Sequence, residues 1–398
     1  ECASFGRNIY MLSGKKQKKV KDKNGKDIFV DKKKIEIGNI YHMCSDEKAK
    51  VNLCVDDLSM HTFITGATGS GKSNTVYAVL SKLDREEKNF LVIEPAKGEY
   101  KHVFGMRKDV QVYGTNPKKN KMLKINPFSF PDDIHVLEHI DRLVELFNVC
   151  WPMYAAMPAV LKEAVERAYV SVGWNLNISE NISGESIYPS FSDVLGKLTE
   201  VIDNSEFSDE VKSNYAGALL TRVRSLTNGI NGRIFAGNEI SGENLFDENV
   251  IIDLSRVGAS DTKALIMGIL VMKLQEYRVS QGGMNQELKH VTILEEAHNL
   301  LKSSGTSIGA SEGADLVGKS VEMLSNIIAE VRTYGEGFVI VDQAPGLLDA
   351  SVIRNTNTKI ILRLPDYSDR QLVGKAANLN DSKIDELAKL PVGVAAVY

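Results

Sequence analysis

Residues 66–73 read Gly-Ala-Thr-Gly-Ser-Gly-Lys-Ser, a complete G-x-x-x-x-G-K-[ST] loop. These residue types in this order suit a nucleoside triphosphate. Gly66, Gly69 and Gly71 let successive backbone N–H groups turn inward around phosphate oxygens. Thr68, Ser70 and Asn74 complete the expected binding stretch. Lys72 is placed to reach the β- and γ-phosphates, and the Ser73 hydroxyl to coordinate a metal ion. The expected ligands are therefore ATP and Mg²⁺. A second cluster stands far along the chain, where the apolar run from His290 ends in Glu295 and Glu296. Ligands of parallel α/β sheets lie at the carboxyl ends of strands, so this end can face the loop. Glu295 is then expected beside the Mg²⁺ shell, through water, and Glu296 is expected to orient and polarise an attacking water. Gln343 follows another apolar run, and a neutral amide there can touch both a γ-phosphate and that water.

These groups need a scaffold, and the hydrophobic pattern supplies one. The run 61–65 reads as a strand entering the loop. Val76, Val79, Leu80 and Leu83 give 74–83 the stripe of a buried helix, with its N-terminus toward the phosphates. Further strands are expected at 90–93, ending in Glu94, and at 110–113. Ile125 to Phe128 closes a first α/β half. From about 130 to 245 the periodicity is helical, with helices expected at 134–147, 157–169, 191–202 and 211–227. Strand and helix then alternate again: strands at 250–254, 291–294, 337–341, 359–363 and 392–397, and helices at 261–278 and 316–333. Continuous Val/Ile/Leu strands separated by helices argue a parallel sheet covered on both faces. The expected fold class is α/β, a mainly parallel central sheet with an all-α insertion. Its parts are a β-rich lead-in (1–60), a first core half (61–128), the insertion (129–249) and a second core half (250–398).

Composition bounds the function classes. The chain has 398 residues, 43% hydrophobic and 25% charged, with a net charge of −4. This excludes a chain that is basic throughout, so any polyanion contact must come from local patches. One patch is obvious: residues 14–34 hold ten lysines and three aspartates. Asn24-Gly25 followed by Ile28-Phe29-Val30 suggests a β-hairpin with a basic tip, read mainly as a solvated run. The cysteines Cys2, Cys44, Cys54 and Cys150 are scattered and suit a reducing cytoplasm. A zinc site from His42, Cys44, Cys54 and His61 is conceivable, but its spacing matches no usual zinc pattern, and isolated thiols are expected instead. No apolar stretch is long enough to span a bilayer, so no membrane association is expected. The chain opens on Glu1 and stops just after the apolar run 392–398, the expected look of a piece of a longer protein.

Several segments together carry a resemblance. G-A-T-G-S-G-K-S-N, I-E-P-A-K-G-E-Y, I-L-E-E-A-H-N-L, V-R-T-Y-G-E-G-F-V-I-V-D-Q-A-P and N-T-N-T-K-I-I-L-R-L-P resemble, in order and spacing, the HerA branch of the FtsK–HerA motor ATPases. The likeness covers about 61–128 and 250–398. It implies a RecA-like P-loop core, a homo-oligomeric ring that is usually a hexamer, and ATP-driven movement of double-stranded DNA. By position, it makes Lys72 and Ser73 the Walker A pair and Glu296 the catalytic Walker B glutamate. Arg332, eleven residues before Gln343, matches the arginine that reaches a neighbouring subunit's ATP. Arg363 is a second candidate for that role. The chain departs from the family where Ser-Gln-Arg-Pro becomes Asp342-Gln343-Ala344-Pro345, and where Glu94 replaces the commoner Asp. Two functions fit these expectations: a DNA translocase or helicase-type motor, and a regulatory ATPase ring controlling a partner effector such as a nuclease in phage defence. DNA-stimulated hydrolysis separates them. The glycine- and serine-rich stretch 302–315 is a candidate mobile element.

Overall fold

The computed structural model describes residues 17–21, 27–31, 33–42, 45–151, 153–235, 237–303 and 312–398. Two compact units emerge. One comprises Glu1–Ile93, Gly283–Lys302 and Ile328–Tyr398, and the other Glu94–Gly282 and Ser303–Ile327.

Along the chain, β1 (Gln17–Lys21) pairs antiparallel with β2 (Asp27–Asp31). This is the expected hairpin; its Asn24-Gly25 tip lies outside the described residues. A second hairpin joins β3 (Lys34–His42) to β4 (Ser45–Cys54). Next come β5 (Thr62–Thr65), the helix Lys72–Leu83 and β6 (Asn89–Glu94). The helix buries Val76, Val79, Leu80 and Leu83, the stripe read from sequence. Continuing, β7 (Val110–Gly114) and β8 (Lys121–Met122) precede a long helical stretch. Its helices are Val136–Cys150, Met157–Ser171, Phe191–Asp203, Asp209–Tyr215, Thr221–Thr227, Gly229–Ile234 and Gly242–Phe246. Among the described residues, its only strands are β9 (Trp174–Asn175) and β10 (Glu180–Asn181), a short antiparallel pair. After β11 (Asn249–Asp253) and the helix Ser260–Ser280 come β12 (His290–Glu295), the helix Glu312–Val331 and β13 (Glu336–Asp342). The chain closes with β14 (Thr358–Ile361), two short helices and β15 (Ala396–Val397).

In the first unit the strands lie in the order β15-β14-β5-β13-β12-β6. All these neighbours are parallel except β14 and β15. The second unit has β11-β7-β8, also parallel. Strands β5 and β13 are buried at every residue, which is why they read as unbroken apolar runs. Two expectations need correction. The expected strand 392–397 shrinks to Ala396–Val397 and runs antiparallel, because Pro391 and Gly393 hold the preceding residues in a turn. The expected helix 211–227 is interrupted by a π segment at Ala216–Leu220, which contains Gly217 and has the wider i→i+5 hydrogen-bond spacing. Of the expected mobile stretch, residues 304–311 lie outside the described residues. The helix after it starts at Glu312, earlier than its apolar periodicity indicated.

Buried ionisable groups fix the packing. In the second unit, His139 on helix Val136–Cys150 meets Glu276 on helix Ser260–Ser280 at 2.9 Å, both fully buried. Burial alone would raise the Glu276 carboxyl, but the charges of His139 and Arg142 outweigh it and hold it low. In the first unit, His290 and Thr292 of β12 both bond the buried Glu336 carboxylate of β13, at 2.9 and 2.8 Å. These contacts sit at the starts of the two strands and fix their register. Among the described residues no group of His, Cys, Asp and Glu could hold a metal ion. His42 bonds Glu47 instead and His61 is buried, while Cys44 lies outside the described residues. Cys54 and Cys150 form no disulfide among the described residues. No helix among the described residues is long and apolar enough to cross a membrane.

His61 precedes β5, and its Nδ1 accepts the Phe338 backbone N–H at 3.0 Å. A protonated ring would turn that acceptor into a donor facing a donor. Burial accordingly pushes its pKa down to about 4 from 6.5. A depressed pKa means that stability is full above the unfolded value and is lost as pH falls toward the folded one. Unfolding free energy should therefore drop by up to about 3 kcal/mol between pH 6.5 and 4. Urea denaturation of the wild type and His61→Gln at both ends of that range checks this: the variant should show a clearly smaller drop.

Candidate nucleotide-binding site

The 66–73 loop joins the end of β5 to the helix that begins at Lys72. Its glycines are sterically required. A Cβ on Gly66 would lie 2.7 Å from Ser70 Oγ and 2.8 Å from Leu362 Cβ. Gly71 adopts φ +109°, and a Cβ there would press on the Gly393 backbone at 3.4 Å. Backbone hydrogen bonds brace the loop from outside: Ala67 N–H to the Arg363 carbonyl at 2.8 Å, and Gly393 N–H to the Ser70 carbonyl at 2.9 Å. The residues fit a polyphosphate. Ser70 Oγ is buried with no hydrogen-bond partner among the described residues. Lys72 Nζ donates to the carbonyls of Gly66 and Ala67, at 2.6 and 3.2 Å, so its ammonium lies over the loop. Anionic oxygens are stronger acceptors than those carbonyls. Thr68 stands exposed on the loop, Ser73 is half-buried, and Asn74 is exposed on the first helical turn.

Strand order decides what faces this loop. Parallel β13 lies between β5 and β12, and the register sets Asp342 against Thr65 and Glu295 against Val341. The three strand ends are thus level within one residue. Two strand spacings separate the loop from Glu295 and Glu296, roughly 10 Å, which leaves space for phosphate, metal and water. Gln343 emerges between them, and its Oε1 accepts a hydrogen bond from Thr68 Oγ1 at 3.0 Å. The amide therefore already touches the loop. Glu295 and Glu296 are both half-buried at the mouth of this row.

Three residues that the sequence analysis gave no role, Asp342, His298 and Asn299, hold the row together. Asp342, fully buried, accepts hydrogen bonds from the His298 backbone N–H at 2.8 Å and from its ring Nδ1 at 2.9 Å. Its other oxygen accepts from Ala344 N–H at 2.9 Å. One carboxylate thus ties the turn after Glu296 to the turn bearing Gln343. Hydrogen bonding to Asp342 raises the His298 pKa. Glu296 itself sits at φ 46°, ψ 51°, a left-handed conformation that costs about 1 kcal/mol or more in a side-chain-bearing residue. Asn299 holds it there, donating to the Glu296 carbonyl from backbone and side chain at 2.9 and 2.8 Å. The available signals were His298 and Asn299, directly after the paired glutamates, and an acid where the related motif has serine.

The arginines are placed differently from each other. Arg332 is exposed on a short 3₁₀ turn just before β13 begins. Since β13 runs from there to Asp342, Arg332 lies at the opposite edge from its own loop, roughly 20 Å away by strand length. Arg363 lies beside the loop through its carbonyl, and its Nε is buried with no partner among the described residues. In the second unit, Glu94 accepts the backbone N–H of Glu99 at 2.6 Å and of Tyr100 at 3.3 Å, so its carboxylate shapes the loop after β6.

The sequence profile described as the central domain of helicase HerA matches residues 35–274, more than half of the chain. The chain belongs to this family. It is 24% identical over 355 residues to the DNA double-strand break repair helicase HerA of Sulfurisphaera tokodaii, covering 87% of this chain and 64% of that protein. It is 22% identical over 397 residues to the helicase of the same name from Saccharolobus solfataricus, covering 98% of this chain and 71% of that one. The chain thus spans about two thirds of the length of these HerA proteins. Among solved structures it is similar to VirB4 of Thermoanaerobacter pseudethanolicus, with TM-score 0.63, 17% identity and 91% and 93% of the two chains covered. It is also similar to the plasmid coupling protein TrwB, with TM-score 0.59, 14% identity and 93% and 92% covered. The fold is that of these P-loop proteins: α/β, with a mainly parallel sheet. The ends of β5, β13 and β12 are level, and Asp342 bridges the turns that follow β12 and β13.

Asp342→Asn should leave ATP affinity within about twofold but lower the hydrolysis rate by about tenfold or more, because loosening the Glu296 and Gln343 turns misplaces the reacting groups. Nucleotide titration and steady-state rates distinguish this from general unfolding. The stability lost by the variant should also depend on pH. The raised His298 pKa contributes fully below its ordinary value of 6.5, and that part is lost as pH rises through the folded value. The wild-type advantage in melting temperature should therefore shrink from pH 6 toward alkaline pH.

Proposed function

We propose that this chain is a Mg²⁺-dependent ATPase and the motor part of a ring, usually a hexamer, that moves double-stranded DNA. The observation that carries the reading is the level row of strand ends β5, β13 and β12, with Gln343 already bonded to Thr68 between the loop and the paired glutamates. In this reading Gly66, Thr68, Gly69, Ser70, Gly71, Lys72, Ser73 and Asn74 bind the nucleotide. Ser73 and Glu295 hold the Mg²⁺ shell. The bound metal neutralises phosphate charge. Lys72 leaves its loop carbonyls for phosphate oxygens. Glu296 accepts a proton from the attacking water, and Gln343 orients that water and reports the γ-phosphate. Arg332, at the opposite end of β13 from its own loop, serves a neighbour's ATP, while Arg363 acts beside its own loop. The helical stretch 129–249 is an insertion between two halves of the motor core, after a β-rich lead-in at 1–60. A cytoplasmic location belongs to the same proposal; the alternative is a regulatory ATPase ring that assembles and controls a partner effector such as a nuclease. The family membership and the DNA-repair helicase names of the relatives support it.

Lys72→Ala should abolish hydrolysis and weaken nucleotide binding. Glu296→Gln should keep binding and stop turnover. The assembly claim is tested by mixing Lys72→Ala with Arg332→Ala. Each alone should be inactive, and rings shown to be mixed should regain part of the rate. A wild-type rate that is independent of protein concentration, from a proven monomer, would remove the trans role of Arg332. Stimulation by duplex DNA of at least severalfold is expected of a motor. A rate indifferent to DNA but responsive to a bound effector would favour the regulatory ring.

A further inference from the structure

The second unit carries an open groove of about 690 Å³ that the ATPase reading leaves unused. It is lined by side chains from three separate segments. Lys97 and Lys101 follow β6, Lys119 precedes β8 and Lys121 opens it, and Arg256 follows β11. No Asp or Glu lines it, although the whole chain is net −4. Lys101 is spent on the buried Asp253 at 2.5 Å, and Lys121 on Gln111 at 2.5 Å. Lys97, Lys119 and Arg256 are exposed, and among the described residues their side chains have no ion pair or hydrogen bond. Three uncommitted cations on one concave surface repel one another unless an anion lies between them.

The loop that presents Lys97 is built rather than slack. Lys97 adopts φ 62° and Gly98 φ 68°, two left-handed residues in succession. A left-handed lysine costs about 1 kcal/mol or more and persists only where the surroundings hold it. Here the Glu94 carboxylate grips the backbone of Glu99 and Tyr100 from one side. Asp253 takes Lys101 and Ser255 on the other. A Cβ on Gly98 would approach Ser255 Oγ at 3.0 Å and Asp253 Oδ1 at 3.2 Å, so the two clamps meet at this turn.

We infer that this groove is a contact surface for the phosphate backbone of duplex DNA, formed by Lys97, Lys119 and Arg256. At about 690 Å³ the groove is too large and open for a single phosphate. Its lining holds no Phe, Tyr or Trp on which unpaired bases could stack, which disfavours a single strand. Contacts of this kind are sequence-independent and dominated by counterion release. The inference rests on the DNA reading above and names the surface that serves it.

The test uses the full chain and a labelled duplex of arbitrary sequence, without nucleotide, at a series of salt concentrations. Three phosphate contacts contribute about 2.7 to the slope of log affinity against log salt. The variant Lys97→Ala/Lys119→Ala/Arg256→Ala should therefore show a slope shallower by about that amount, and at least tenfold weaker binding near 0.1 M salt. The exchange Lys97→Arg/Lys119→Arg/Arg256→Lys should keep the wild-type slope. A control removing cations that already have partners, Lys197→Ala/Lys212→Ala/Lys389→Ala, should also keep it. Nucleotide affinity should stay unchanged throughout, which separates this surface from the P-loop. If the wild type binds duplex with salt dependence and the triple alanine variant matches it, the groove is not the contact surface, while the DNA reading stands. If the wild type shows no salt-dependent duplex binding, both fall together.

Discussion

The register of three buried parallel strands is the constraint on which the candidate site depends. Side chains in a strand alternate faces, so a slip of one residue between β12 and β13 would turn Glu295 and Glu296 away from the phosphate side. The apolar faces alone would not resist such a slip well, because both strands are hydrophobic on both sides. Glu336 resolves the ambiguity. Buried at the start of β13, it must find partners, and His290 and Thr292 of β12 supply them only in the observed register. A mis-registered pair would leave a buried carboxylate uncompensated, a cost of several kcal/mol. The polar contact at one end of the strands thus sets the geometry at the other.

At the functional end the arrangement stores strain and restrains it. Glu296 in a left-handed conformation projects its carboxylate from a sharp turn rather than along the strand. Asn299 and the His298–Asp342 contact hold that turn. The same Asp342 carboxylate organises the turn of Gln343, so the group expected to activate water and the group expected to sense phosphate share one buried anchor. This gives a physical reading of the departure from the family motif. With serine replaced by Asp342 and arginine by Ala344, the loop is tied by a charged acceptor to its neighbour strand, not by a cation. The P-loop is restrained separately, by the backbones of Arg363 and Gly393.

Much of this was legible in the residues alone. The phosphate loop, the helix behind it, the buried strands and the paired glutamates follow from glycine spacing, periodicity and the chemistry of the side chains, all local properties. The sequence determined the α/β alternation and set the expected ligand class. It could not give the strand order, since any parallel order buries the same Val, Ile and Leu. Only the tertiary structure put β13 between β5 and β12, and with it Gln343 against Thr68. Only the structure revealed Asp342 as an anchor, because its partner His298 lies 44 residues away in the chain. The position of Arg332 at the far edge was likewise invisible, since chain order places it near Gln343 while a seven-residue strand carries the two apart. The lysine groove shows the same limit. Lys97, Lys119 and Arg256 come from three separate segments, so no local run in the sequence shows that they share a surface. Local pattern fixes what each segment is; long-range pairing, enforced by buried polar groups that must be satisfied, fixes which segments meet.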